Sequence, residues 1–277
     1  MIKTINNNSK SSHRLLFSFS FILFLCLFSL HSVSQEIGSK IRLVAFGGGK
    51  ISQELRKEFL SYSPAEEPNL LVISYASEPD KVRETALRNQ ELFKKAGAQN
   101  IRVLDLSDRK KALQDIKWCD VIWMSGGSQV RLREALEEAD VVADIQRHFQ
   151  MGGLIGGTSA GASIMSTTMM ANAEIDEKTK KMYPVISYGL KLWDNVIIDQ
   201  HFNERNRLQR LEIAIEKHPD QIGVGIDERT GIAYDGENSF FVIGKGQVTV
   251  LHNKEKNSQS TLEKTTLKKG DKYSLNR

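Results

Sequence analysis

Short apolar runs alternate with amphipathic stretches through the first half of the chain. Ile41 to Phe46 is an apolar run that ends in Gly47-Gly48-Gly49, and a helical pattern follows to about Tyr62. Leu70 to Ile73 predicts a second strand, and Pro79 to Lys95 a helix closed by Gly97. Ile101 to Leu104 reads as a strand and Arg109 to Lys117 as a short helix. Val121 to Met124 is a strand running into Ser125-Gly126-Gly127, and Ser128 to Gln150 holds a helix or a helix pair. Leu154-Ile155-Gly156 then leads into a third Gly-rich turn. Strands that alternate with helical periods predict βαβ units. The fold class is therefore α/β, a mostly parallel sheet sandwiched by helices.

Beyond Gly161 the pattern is less regular until the strand Asn195 to Ile198, and Glu174 to Met182 has no readable form. Glu204 to Lys217 predicts a helix, stopped at His218-Pro219 because the residue before proline avoids helical dihedrals. Ile222 to Ile226, Ile232 to Tyr234, Phe240 to Ile243 and Val248 to Leu251 are short strands separated by Gly, Asn and Asp. They are expected as antiparallel additions at the sheet edge. From about residue 253 the chain is polar and Lys-rich, which predicts a loosely ordered tail. No internal repeat or linker appears, so residues 35–277 read as one α/β hydrolytic domain.

The N-terminus changes this picture. Lys3, Lys10 and Arg14 precede an apolar run from Leu15 to Leu30, and His31-Ser32-Val33-Ser34-Gln35 follows with small residues. This is the layout of a secretory signal peptide over residues 1–34. The run is short for a spanning helix, which needs roughly 20 apolar residues. Export to the periplasm or outside the cell is expected, with no membrane association after cleavage. Cleavage removes three basic residues and no acid, so the net charge falls from +4 to about +1. Such a balance gives no general basis for nucleic-acid binding. Of the two cysteines, Cys26 leaves with the signal and Cys119 remains alone, so no internal disulfide forms. Cys119 starts an apolar strand and reads as a small buried hydrophobe.

The turn Gly156-Gly157-Thr158-Ser159-Ala160-Gly161-Ala162 joins a strand to a helix start. A serine at such an elbow stands proud of the sheet, and its small neighbours allow strained dihedrals and close backbone approach. The Ala160 amide would face a developing oxyanion, with a second amide from Gly126-Gly127. Ser159 needs a base. The mature chain offers His148, His201, His218 and His252. His201 follows the strand Val196-Ile197-Ile198 and so sits at a strand's carboxyl end, where sites of open parallel sheets gather. Asp227 and Glu228 end another strand, and either could orient the imidazole.

Asp199-Gln200-His201-Phe202-Asn203-Glu204-Arg205-Asn206-Arg207-Leu208-Gln209-Arg210 is dense in cations. Arg207 and Arg210 are three residues apart and share a helix face. Guanidinium groups hold carboxylates in bidentate fashion, so arginines beside a candidate base point to an anionic substrate. No His, Asp or Glu grouping has metal-ligand spacing, and neither a metal nor an organic cofactor is expected.

These residues, with Gly126-Gly127-Ser128-Gln129 and Gly225-Ile226-Asp227-Glu228, resemble peptidase family S51, the cyanophycinases and aspartyl dipeptidases. The similarity runs in order from about Ile41 to Val250. It implies a fold like that of class I glutamine amidotransferases, flavodoxin-like in plan. It implies Ser159 as nucleophile, His201 as general base and Glu228 as the orienting acid, with oxyanion donors at Gly127 and Ala160. It further implies that Gln129, Asp199, Gln200, Arg205, Arg207 and Arg210 line a pocket for a β-aspartyl-arginine unit. The expected partner is then a peptide or polymer bearing aspartyl and arginyl groups, with the chain forming homodimers as family members often do. In the polymer cyanophycin, free α-carboxylates would suit the arginines, and Asp199 could hold the substrate guanidinium. Asn206 and Gln209 depart from the pattern, since smaller residues are expected between the arginines. A small-peptide aspartyl or isoaspartyl dipeptidase, and a non-catalytic periplasmic binder, are the alternatives.

Overall fold

In the computed structural model, which describes residues 41–256 and 259–275, the alternating pattern becomes a layered α/β fold. The expected signal peptide lies outside the described residues. In chain order the first elements are β1 (Leu43–Phe46), α1 (Gln53–Ser61), β2 (Asn69–Ile73), α2 (Val82–Lys95), β3 (Asn100–Val103) and α3 (Arg109–Trp118). They continue as β4 (Val121–Met124), α4 (Gln129–Glu138), α5 (Val142–Gln150), β5 (Leu154–Thr158) and the one-turn α6 (Ala160–Ser163). Next come β6 (Thr168–Ile175), β7 (Met182–Tyr188), β8 (Val196–Gln200), α7 (Leu208–Lys217) and β9 (Ile222–Ile226). The chain ends with β10 (Thr230–Tyr234), β11 (Ser239–Gly244), β12 (Val248–Lys256), β13 (Gln259–Leu267) and β14 (Lys272–Ser274).

Local chemistry sets several of these boundaries. Ser52, Asp108 and Ser128 accept hydrogen bonds from amides in the first turns of α1, α3 and α4, which satisfies donors that have no partner within the helix. The stretch Ser128 to Gln150 is a helix pair, broken where Asp140 takes a left-handed φ of 51°.

The main sheet runs β14-β11-β10-β1-β5-β4-β2-β3. Its β1, β5, β4, β2 and β3 are mutually parallel, and β10, β11 and β14 add antiparallel at one side. Strands β1, β2, β4 and β5 are buried on both faces, as helical cover requires, while the edge strand β3 is partly exposed. Leu43, Ala45, Leu71 and Ile122 pack to one side, and Val44, Phe46, Leu70 and Trp123 to the other. Trp123 gathers Phe46, Phe59 and Phe93 around its ring at centroid distances of 5.8, 5.3 and 5.0 Å. Gly156 makes room for this cluster, because a Cβ there would lie 2.3 Å from the Phe59 ring.

Three expectations are corrected. Strands β9 and β12 are not edge additions to the main sheet but join β8 elsewhere. They form a second sheet in the order β13-β12-β9-β8, with β8 and β9 parallel. The polar stretch beyond residue 252 is not a loose tail: β12 and β13 pair in antiparallel register from Val248↔Leu267 to Lys256↔Gln259, and β14 joins the main sheet. The irregular region after Gly161 holds an antiparallel pair, β6 with β7. Among the described residues, no helix is long and apolar enough to cross a membrane.

Candidate active site

Ser159 sits at the carboxyl end of β5 with φ 55° and ψ −114°, a conformation that L-residues avoid. The flanking glycines make this turn possible. A Cβ on Gly157 would lie 2.2 Å from the Gly161 carbonyl oxygen, and a Cβ on Gly161 would lie 2.2 Å from that of Met124. The turn therefore folds back on itself and against β4, presenting the Ser159 side chain beyond the sheet.

His201 and Glu228 arrive from the second sheet, at the ends of β8 and β9. His201 Nε2 lies 2.9 Å from Ser159 Oγ, and its Nδ1 lies 2.6 Å from Glu228 Oε1. The carboxylate accepts only, so the Nδ1 proton points to Glu228 and Nε2 is free to accept from the serine hydroxyl. Of the two adjacent carboxylates, Glu228 is the one that meets His201. Asp227 is occupied elsewhere, accepting from the amides of Asn203 and Gln247 and from Asn203 Nδ2. Glu204 was not anticipated; its carboxylate accepts from the Glu228 amide at 3.1 Å.

The two sheets meet at the end of β1. Three consecutive carbonyls there accept amides from the three site segments. Phe46 O takes Ser159 N at 2.9 Å, Gly47 O takes His201 N at 2.7 Å, and Gly48 O takes Arg229 N at 2.9 Å. Gly48 and Gly49 have φ of 104° and 69°. A Cβ on Gly48 would fall 2.3 Å from His201 Cε1, and one on Gly49 would fall 2.6 Å from Glu228 Oε2. The triple glycine thus packs directly on the imidazole and the carboxylate. The sequence reading saw it only as a strand end. Its signal was a third Gly-rich turn at a strand's carboxyl edge.

Burial is the main influence on His201 and holds its imidazole below the ordinary value of 6.5, with Arg205 and Arg207 acting in the same direction. The hydrogen bond to Glu228 opposes this. The imidazole is neutral near pH 7, as a base toward a hydroxyl requires.

The other expected site residues divide into groups. Gly126 faces the serine, since a Cβ there would stand 3.2 Å from Ser159 Cβ. Gly127, at φ 144°, presses on the Ala76 carbonyl. Ala160 is buried at the start of α6. Gln200 Oε1 lies 3.5 Å from Ser159 Oγ and accepts from Arg207 at 2.9 Å. Gln129 donates to the Met170 and Ala171 carbonyls at 2.7 Å.

Asp199, Arg207 and Arg210 do not form an open carboxylate receptor. Asp199 is fully buried and takes Arg210 Nε at 2.7 Å, Arg210 Nη2, and Arg207 Nη1 at 3.3 Å. Arg207 also donates to the Gln200 carbonyl, and burial lowers its pKa to about 10. The cluster is an internal brace beneath Gln200. Helix α7 starts at Leu208 rather than Glu204, so Arg205 stands exposed on the turn between β8 and α7. Asn206, one of the departures from the pattern, holds a left-handed φ of 51° in that turn. Both Asn206 and Gln209 are exposed.

The model of peptidase family S51 matches residues 43–242. A cyanophycinase from Geminocystis herdmanii is 31% identical over 227 residues, covering 79% of this chain and 82% of that protein. One from Synechococcus elongatus is 32% identical, covering 78% and 70%. Among solved structures, a peptidase from an acI-B1 Actinobacterium superimposes with a TM-score of 0.65 at 20% identity, covering 84% of this chain and 96% of its own. A putative peptidase E protein from Listeria monocytogenes gives 0.56 at 18% identity, covering 74% and 98%. At these identities the structural likeness speaks to the fold alone.

Proposed function

The chain belongs to peptidase family S51, and from that premise we propose that it is an exported serine exopeptidase releasing β-aspartyl-arginine dipeptides from cyanophycin. The observation that carries the reaction class is the hydrogen-bonded series Ser159–His201–Glu228, at 2.9 and 2.6 Å. The cyanophycinases it resembles supply the substrate class.

In this reading Ser159 Oγ attacks the scissile carbonyl while His201 Nε2 takes its proton. Glu228 stabilises the imidazolium that forms, and the proton then passes to the leaving amine. Amides at Ala160 and Gly127 receive the oxyanion. Water, deprotonated by the same imidazole, releases the acyl group and restores the serine. Gln200 lies beside the hydroxyl, and Arg205 meets substrate at the rim. The basic start, apolar run and small residues of positions 1–34 support export. The substrate is then polymer released by other cells.

Mass spectrometry of products from the mature protein and cyanophycin, beside a Ser159→Ala control, tests the reading. β-Aspartyl-arginine is expected from the unsubstituted protein alone. Activity confined to small aspartyl dipeptides would move the substrate to short peptides. Equal product from the Ser159→Ala protein would overturn the nucleophile.

A further inference from the structure

A second and larger hollow lies beside the one at the nucleophile. The hollow that opens onto Ser159 and His201 has a volume of about 450 Å³, and its neighbour about 710 Å³. Ser77, shortly before α2, lines both. Helix α2 stands between them. Its Thr85, Arg88 and Asn89 face the nucleophile's side, and its Val82, Arg83, Ala86 and Leu87 face the other. The segment that carries Ser77 is pinned beside the Gly126-Gly127 turn, because Ser128 N donates to Ala76 O at 2.8 Å. The two hollows therefore meet at a fixed point next to the turn that faces Ser159.

The larger hollow suits a ligand that is part aliphatic and part zwitterionic. Ala86, Leu87, Leu104 and Ala135 give it an apolar floor. Leu87 is 47% exposed, and covering such a side chain is favourable. Four charged side chains stand around the floor, and two are already paired, Arg131 with Glu78 at 2.8 Å and Lys111 with Asp115. The other two are not. Arg83 is exposed and makes no ion pair or hydrogen bond with any described residue. Asp105, also exposed, accepts from Ser107 through Oδ1, and its Oδ2 has no partner among the described residues. Cyanophycin presents the complementary set. Each backbone α-carboxyl of its poly-aspartate is consumed in a peptide bond, and each side-chain carboxyl is amide-linked to an arginine. The free charges of every unit are therefore an arginyl carboxylate and a guanidinium, joined by an aliphatic stem.

We propose that the larger hollow is a second binding site for the polymer, holding a unit beyond the two joined by the bond at Ser159. The arginyl carboxylate of that unit meets Arg83, its guanidinium meets Asp105, and its aliphatic stem lies on Leu87. Guanidinium and carboxylate groups pair in both contacts through charge-assisted hydrogen bonds, and a long cationic side chain lays its stem on apolar surface while its head stays in water. This rests on the peptidase reading above, because it takes the substrate from it. A second point of attachment keeps the polymer at the enzyme while one unit is cut away, since rebinding at the nucleophile is then intramolecular.

Co-sedimentation with insoluble cyanophycin tests it, using the mature Ser159→Ala protein so that the polymer stays intact. Arg83→Ala and Asp105→Asn in that background, both at exposed positions, should each weaken binding about two- to fivefold, as exposed charge pairs allow. Poly-aspartate without arginine is the second probe. Asp105→Asn should not weaken its binding, because that polymer brings no guanidinium. No binding to cyanophycin, or binding undiminished in both variants, would overturn the inference, as would an equal loss of poly-aspartate binding in Asp105→Asn. Hydrolysis of the two-unit fragment, which has no further unit for the second site, separates this outcome from failure of the peptidase reading. Cleavage of that fragment by the protein with Ser159 intact, beside polymer binding that ignores both variants, sinks the second site alone. Polymer binding that responds to the variants, without cleavage, sinks the peptidase alone.

Discussion

Replacing Asp199 by asparagine distinguishes an internal brace from a substrate contact. The side chain keeps its volume and loses its charge. Its carboxylate is fully buried and holds Arg210 through two nitrogens and Arg207 through one. The substitution strands two guanidiniums that are only 4% and 9% exposed. Breaking a buried pair in this way costs about 3–5 kcal/mol, since the surviving charge is left without compensation. A domain of this size loses about 2–4 °C of Tm per kcal/mol, so Asp199→Asn should melt about 6–20 °C lower. Thermal unfolding followed by circular dichroism, with urea midpoints as a second measure, gives the number. A partner experiment removes the stranded charge. Asp199→Leu combined with Arg210→Met should recover part of the loss, because apolar replacement of a whole buried pair is often neutral. A Tm within about 3 °C of the unsubstituted protein, together with a large rise in KM, would refute the reasoning. It would mean that Asp199 spends its charge on the substrate guanidinium, as the sequence alone suggested.

Three further outcomes follow from the site geometry. Gly48→Ala places a Cβ 2.3 Å from His201 Cε1 at a φ of 104°, so kcat/KM should fall by about 100-fold or more while circular dichroism still shows a folded protein; unchanged activity would sink the claim that this loop positions the imidazole. The acid limb of kcat/KM should lie below pH 6.5, because burial depresses His201 and catalysis needs its neutral form. Arg205 disfavours the imidazolium, so Arg205→Ala should raise the His201 pKa and move that limb to higher pH, and a limb that stays in place or moves lower would contradict the assignment.

Much of the main sheet was legible because parallel strands are buried on both faces and so read as continuous apolar runs between helical periods. The Ser159 elbow was legible for the same reason that it is strained: the close backbone approach around it needs glycine at 157 and 161. The second sheet was not legible. Its strands β8 and β9 look like any buried strand, and pairing partners are not written in local periodicity. The β12–β13 hairpin was mistaken for a tail because Lys254, Glu263 and Lys264 are polar, although Thr261, Thr265 and Thr266 suit a half-exposed strand. Residues Asp227 and Glu228 are adjacent carboxylates, and successive positions leaving a strand point in different directions. Only the hydrogen bonds separate the one that ties Asn203 and Gln247 from the one that meets His201. Arg207 and Arg210 read as pocket walls because sequence spacing shows a shared helix face but not the buried Asp199 carboxylate that they pair with.

The position of β1 accounts for how two sheets build one constellation. A nucleophile on one sheet and a base on another would drift apart if only side-chain contacts joined them. Here successive carbonyls of Phe46, Gly47 and Gly48 hold the amides of Ser159, His201 and Arg229. Ser159, His201 and Arg229 all take left-handed φ values, 55°, 49° and 57°. Such conformations persist only where surroundings over-determine them, and these three amides are each fixed to the same strand end. A strand end with side chains could not do this, because a Cβ on Gly47 would lie 2.2 Å from the Asp227 carbonyl oxygen and one on Gly48 would strike the imidazole. The triple glycine is therefore the component that converts strain in three separate turns into a fixed distance between serine and imidazole. The same loop continues into Lys50 and α1, whose Arg56 lines the pocket that opens onto Ser159 and His201.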